Sequence, residues 1–208
     1  MSLSSALWTS RSRLILASKS ASRRQMLASA GLVFDVEAAE IDERQLEADF
    51  LACGGAPEDL ALALARAKAL EVSDRNRGAL CLGADQTLSL EGRLIHKSTT
   101  SEEATRTLAA LAGRRHRLTA AFALARDGHV IGEGVDSAVL AMRALDARSI
   151  ALYLASAGPD VLASVGVYQV EGLGVHLFES IEGDHTTILG LPMLKLLACL
   201  RREGALAL

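Results

Sequence analysis

The sequence predicts an α/β fold, a mixed twisted sheet flanked by helices, and three observations predict it. Short apolar runs of strand length alternate with helix-length segments that carry their own start and stop signals. The first apolar run feeds directly into a helix through small hydroxyl residues. Two dipeptides, Glu91-Gly92 and Asp127-Gly128, place tight hairpins between extended segments. At 208 residues the chain suits a single domain over 1–208, long enough to bury a real core, with the Ser-rich residues 1–12 expected to fray.

Residues 14–17 read as a buried strand. Ser18 to Ser22 offer hydroxyls for a helix N-cap, residues 23–30 follow as helix, and Gly31 stops it. Residues 34–38 look like a second strand. Pro57, Glu58 and Asp59 open a helix running to about Val72, since proline and acids suit a first turn. Residues 79–84 form a buried strand ending at Asp85, where α/β sheets place functional groups. A hairpin follows (88–90, turn, 93–95), then a helix from Ser101 to Gly113. Residues 116–125 and 130–142 are two long strands joined at Asp127-Gly128. Residues 146–155 are helical, 165–170 extended, and 191–202 form the closing helix.

Composition narrows the function. Half the residues are hydrophobic, 23% are charged and only 3% are aromatic, so few rings are available to stack splayed-out bases. The net charge of −3 argues against long DNA or RNA, which calls for a basic surplus. A small phosphate ligand needs only a local cluster of cations. Cys53, Cys81 and Cys199 form no CxxC pair and the five histidines no HExxH, which argues against a disulfide framework and a zinc site. Neither a secretory leader nor an apolar stretch of transmembrane length is seen, so a cytoplasmic protein is expected.

Four groups of residues could carry chemistry. The turn from Ser18 to Arg24 leaves backbone N–H groups at a helix start, and Arg23 and Arg24 add cationic forks matched to phosphate oxygens. An ordinary cap with two solvated arginines has the same sequence, and no GxxxxGK[ST] loop is present. Carboxylates come second: Glu40 and Asp42 share a direction if the chain is extended there, and Asp85 ends an apolar strand. Hard Mg²⁺ is commonly held by one or two carboxylates plus substrate phosphates. Thr87 rules out a DxD phosphatase, which leaves Asp85 as a general base or a metal-linked acid. Third, Lys68 and Lys97 would neutralise a triphosphate if they converge, or face solvent if they do not. Fourth, Gly166, Gly172 and Gly174 suggest close backbone approach, with Glu171 either meeting a base edge or facing water. Leu177 breaks a dinucleotide-type GxGxxG.

These segments, in this order, resemble the Maf family of nucleotide pyrophosphatases. They are the run from Leu14 to Arg24, Glu40-Ile41-Asp42-Glu43, Ala65-Arg66-Ala67-Lys68-Ala69, Gly83-Ala84-Asp85-Gln86 with Lys97 downstream, Glu171-Gly172-Leu173-Gly174 and Gly190-Leu191-Pro192. The resemblance covers nearly the whole chain. It implies a mixed α/β fold with two lobes around a central cleft, usually homodimeric, cutting a nucleoside triphosphate into a monophosphate and pyrophosphate. It casts Asp85 as catalytic acid/base near a divalent cation, Mg²⁺ or Mn²⁺, with Glu40 and Asp42 helping to hold the metal. Ser18, Ser20, Arg23, Arg24, Lys68 and Lys97 would bind the substrate. Ser22, Gln86 and Glu171 stand where the family's branches differ, and Gln86 with the run from Glu171 to Phe178 is similar to the branch acting on 7-methyl-GTP. Two departures stand out: Ser22 occupies a position where that branch carries Trp, and Ser98 one where it carries Pro. The alternatives are a dTTP/UTP pyrophosphatase of the same family and a non-catalytic regulator of cell division.

Overall fold

The computed structural model describes residues 7–208. Of the segment expected to fray, residues 1–6 lie outside the described residues. Residues 7–12 are tied to the C-terminus instead: Trp8 bridges Leu206, and the Thr9 N–H donates to the Ala205 carbonyl at 3.0 Å.

A seven-stranded mixed sheet runs in the order β2-β1-β3-β5-β6-β7, with β4 paired to β3. The strands are β1 Leu14–Leu16, β2 Asp35–Val36, β3 Leu80–Leu90, β4 Arg93–Ile95, β5 Arg115–Arg126, β6 His129–Met142 and β7 Phe178–Glu182. β1 is parallel to both β2 and β3, while the β3–β4 and β6–β7 pairs are antiparallel. Among the described residues seven α-helices join them: α1 Ala21–Ser29, α2 Glu43–Ala52, α3 Leu60–Arg75, α4 Ser101–Leu111, α5 Ala147–Ala157, α6 His185–Ile188 and α7 Met193–Arg202. None of these is long and apolar enough to cross a membrane.

The chain divides into two compact units. Among the described residues the first comprises 7–85, 120–136 and 190–208; the second comprises 86–119 and 137–189. In the first, β1 and β3 with Phe122 and Leu124 of β5 form an apolar core against Leu196, Cys199 and Leu200 of α7. A second layer of this unit has a buried centre of alanine alone: Ala61, Ala65 and Ala69 of α3 with Ala121, Ala123 and Ala125 of β5. Side chains this short let a helix backbone lie close to the sheet, which is one use the chain makes of its many alanines. In the second unit larger side chains fill the interior: Leu108, Leu118, Leu140, Tyr153 and Tyr168 share one core.

Several expectations from sequence change here. β3 does not end at Asp85 but continues through it to Leu90, so Asp85 lies within the strand. Residues 43–52, unassigned from sequence, form α2, and residues 178–182 form β7. Residues 165–170 are not extended. Gly166 (φ 82°) and Val167 (φ 62°) both take left-handed backbone, which turns the chain and sends Tyr168 into the core.

Candidate active site

The site is built around one close approach of helix to strand. A Cβ added at Gly83 of β3 would lie 2.1 Å from the Ala65 carbonyl oxygen and 2.5 Å from the Ala69 nitrogen of α3. Only glycine permits that contact. Asp85 lies two residues on, on the same face of the strand, and Lys68 shares the face of α3 that carries Ala65 and Ala69. Lys68 Nζ therefore meets Asp85 Oδ1 at 2.5 Å, with the two residues 7% and 8% exposed.

Lys68 Nζ also reaches Glu43 Oε1 at 2.9 Å. Glu43 is the first residue of α2, and Asp42 before it caps that helix by accepting the Gln45 N–H at 3.0 Å. One lysine thus bridges a buried and an exposed carboxylate. Sequence reasoning assigns Glu43 no role, because it treats residues 40–42 as extended chain. The pattern Asp42-x-x-Gln45 is a capping signature and would have placed Glu43 in a first helical turn.

Arg23 completes the cluster. Ser20 caps α1 by accepting the Arg23 N–H, and the arginine side chain turns inward while Arg24, next along the helix, stays exposed. Arg23 Nε donates to the Gly190 carbonyl at 2.9 Å, and Nη1 donates to the Ala84 carbonyl at 2.8 Å and to Ser18 Oγ at 3.2 Å. Burial pushes the Arg23 pKa down, and the charges of Asp85 and Glu43 push back. Two acids and two bases sit together, so each charge is offset by a neighbour rather than left orphaned.

The remaining predicted residues divide between the units. Ser18 is buried on Arg23, and Ser22 is partly buried on α1. Glu40 is exposed, and its N–H donates to Glu71 Oε2 at 3.1 Å. Among the described residues, no hydrogen bond or ion pair links Glu40 or Asp42 to Lys68 or Asp85; their neighbour Glu43 takes that place. In the second unit Lys97 is exposed and lines a polar pocket of about 260 Å³ with His96, Ser98, Glu103, Arg106 and Thr107. Glu171 is exposed in the turn before Leu173–Leu177. Close backbone approach holds at Gly174, where an added Cβ would lie 2.5 Å from the Gln169 carbonyl oxygen. Gln86 is partly buried, with its amide on the Thr187 and Ile188 carbonyls.

Among the described residues, no three His, Cys, Asp or Glu side chains converge as an all-protein metal cage. Mg²⁺ does not require one, since it takes one or two carboxylates with water and substrate phosphates. Asp85 and Glu43 are hard oxygen donors gathered on a single ammonium, and each has a second carboxylate oxygen besides the one facing Lys68. That donor set fits an ion carried in with a phosphate substrate.

Residues 13–203 match the family described as Maf-like protein. A protein of Mesorhizobium japonicum named 7-methyl-GTP pyrophosphatase is 53% identical over 194 residues, covering 93% of this chain and 98% of its own. One of Brucella abortus with the same name is 49% identical over 191 residues, covering 92% of this chain and 96% of its own. A Bradyrhizobium diazoefficiens protein named nucleoside triphosphate pyrophosphatase is 48% identical over 201 residues, covering 97% of this chain and 98% of its own. The match spans every element that carries Ser18, Arg23, Glu43, Lys68 and Asp85, and this chain belongs to the Maf-like protein family.

Proposed function

We propose that this chain is a nucleoside triphosphate pyrophosphatase that hydrolyses the bond between the α- and β-phosphates, with 7-methyl-GTP as its preferred substrate. The observation that carries the reaction class is the buried Arg23–Asp85–Lys68 cluster with Glu43 at its edge. The names of the similar proteins support both the class and the substrate.

The chemistry asks for positioned charge more than for covalent steps. Asp85 Oδ1 is held by Lys68, which leaves Oδ2 to accept a proton from the attacking water. Lys68 and Arg23 set a positive field beside that carboxylate, suited to the charge that builds on a phosphoryl group as pyrophosphate leaves. Glu43, at the exposed edge beside Asp85, would hold the divalent cation, which would supply charge neutralisation to the phosphate oxygens when bound. The family resemblance assigns Ser18, Ser20, Arg24 and Lys97 to the substrate and implies a homodimer.

Product analysis tests the proposal. Purified protein with Mg²⁺ is offered GTP, 7-methyl-GTP, dTTP, UTP and CTP, and products are separated by ion exchange. Monophosphate plus pyrophosphate, fastest from 7-methyl-GTP, is the expected result. Faster dTTP or UTP turnover would reassign the substrate, and release of inorganic phosphate alone would overturn the reaction class.

A further inference from the structure

Between Val36, the end of β2, and Glu43, the start of α2, residues 37–42 form no regular element. The Glu37 N–H still bonds the sheet, at the Leu16 carbonyl (3.1 Å). From there side chains of α3 hold the chain. Arg75 Nη1 lies 2.9 Å from Glu37 Oε1, and Nη2 donates to the Ala38 carbonyl at 3.3 Å. Ala39 packs against the buried cluster that includes Val72. Glu71 Oε2 accepts the Glu40 N–H at 3.1 Å, and Arg75 binds both Glu71 oxygens at 2.9 Å. Asn76, just past the helix, donates to the other Glu37 oxygen at 2.9 Å.

Lys68, Glu71 and Arg75 stand at i, i+3 and i+7, on one face of α3. The face that presents Lys68 to Asp85 and Glu43 therefore also grips the chain that leads into Glu43. An exposed ion pair alone contributes little. Here one planar fork spans four oxygen atoms of Glu37, Ala38 and Glu71, a geometry that a point charge cannot match. Without it, the Glu37 and Glu71 carboxylates would face each other across the same gap.

We propose that Arg75, acting through Glu71, is a positioning residue for Glu43: it fixes the 37–43 chain along α3 and so keeps Glu43 on Lys68. The kinetic arm of the test rests on the pyrophosphatase reading and on Glu43 as the metal-holding acid. Arg75→Met keeps an apolar stem of similar length and removes the fork. The Mg²⁺ concentration for half-maximal rate should rise about fivefold, the scale of a few exposed charged contacts, with kcat at saturating Mg²⁺ changed less than about twofold. In a Glu43→Gln background the same substitution should add nothing, because the group being positioned is already gone. An equal rise in both backgrounds, or a fall in kcat alone, would overturn the proposal.

Hydrogen exchange of the metal-free protein supplies an arm independent of catalysis. The Gln45 and Leu46 amides, bonded to Asp42 Oδ1 and to the Asp42 carbonyl, should exchange about fivefold faster in Arg75→Met. The Leu80 amide, bonded to the Arg13 carbonyl in the sheet, should keep its native rate. Native rates at all three amides, or equal acceleration of all three, would overturn the proposal. A native protein inactive on all five nucleotides would strike the proposed function and leave this arm to decide the role of Arg75.

Discussion

Lys68 Nζ stands 2.5 Å from Asp85 Oδ1 and 2.9 Å from Glu43 Oε1, so a single ammonium joins a buried strand acid to the start of a helix. Its own helix is held there by contact between Gly83 and the backbone of Ala65 and Ala69. The proposed catalytic geometry and the stability of the fold therefore depend on the same few residues.

Breaking the buried pair has separable costs. Asp85→Asn should lower turnover by about a hundredfold or more, the scale of a lost general base. Lys68→Met leaves Asp85 buried beside a neutral chain and should cost about 3 kcal/mol of stability. The double variant Asp85→Asn with Lys68→Met should recover much of that loss, because neither member of the pair is then left charged without the other. Urea unfolding of the four proteins measures the coupling, and additive losses would contradict it.

Gly83→Ala should cost about 3 kcal/mol or more, since the new methyl meets backbone and not a movable side chain. Relief requires α3 to move from β3, which pulls Lys68 off Asp85. Thermal melts should show the destabilisation, and turnover should fall with it as Lys68 loses its hold on Asp85.

Glu43→Gln keeps the size of the side chain and removes one hard carboxylate from the edge of the site. The Mg²⁺ concentration for half-maximal rate should rise about tenfold, the scale of one charge-assisted contact, while stability changes little because Glu43 is exposed. Asp42→Asn, by contrast, should leave the Mg²⁺ requirement unchanged, since asparagine caps α2 equally well. A metal titration of the two variants tests both statements.

His116 adds a pH dependence in the second unit. Its Nε2 lies 2.7 Å from the Tyr168 hydroxyl, its Nδ1 has no partner among the described residues, and burial pushes its pKa down to about 4. The unfolded chain takes up this proton near pH 6.5 and the folded one only near pH 4, so stability is lost as pH falls through that window. The loss amounts to roughly 3 kcal/mol. Chemical denaturation of the native protein and of His116→Gln between pH 7 and 4 should show the native curve falling more steeply.

Much of the fold is legible from local signals. The Glu91-Gly92 and Asp127-Gly128 turns have the positive φ expected of tight hairpins (52° and 77°; 51° and 78°), and Ser20 caps its helix through a side-chain oxygen. Val167 is not legible: a β-branched residue at φ 62° contradicts its own propensity, and the buried Tyr168–His116 contact overrides it. Arg23 reads from sequence as a phosphate fork, and the structure adds three oxygen atoms of the chain itself as its partners.

The order of strand, turn and helix, the caps, and the residue types suited to a phosphate substrate follow from the chain alone, because each depends on neighbours a few positions away. Folding in three dimensions selects Glu43, in place of Glu40 or Asp42, as the acid that meets Lys68, and spends both Gln86 donors on backbone. Those contacts join residues 25 to 102 positions apart. The Lys68–Asp85 geometry comes from how closely alanine and glycine let α3 approach β3, which no local pattern specifies.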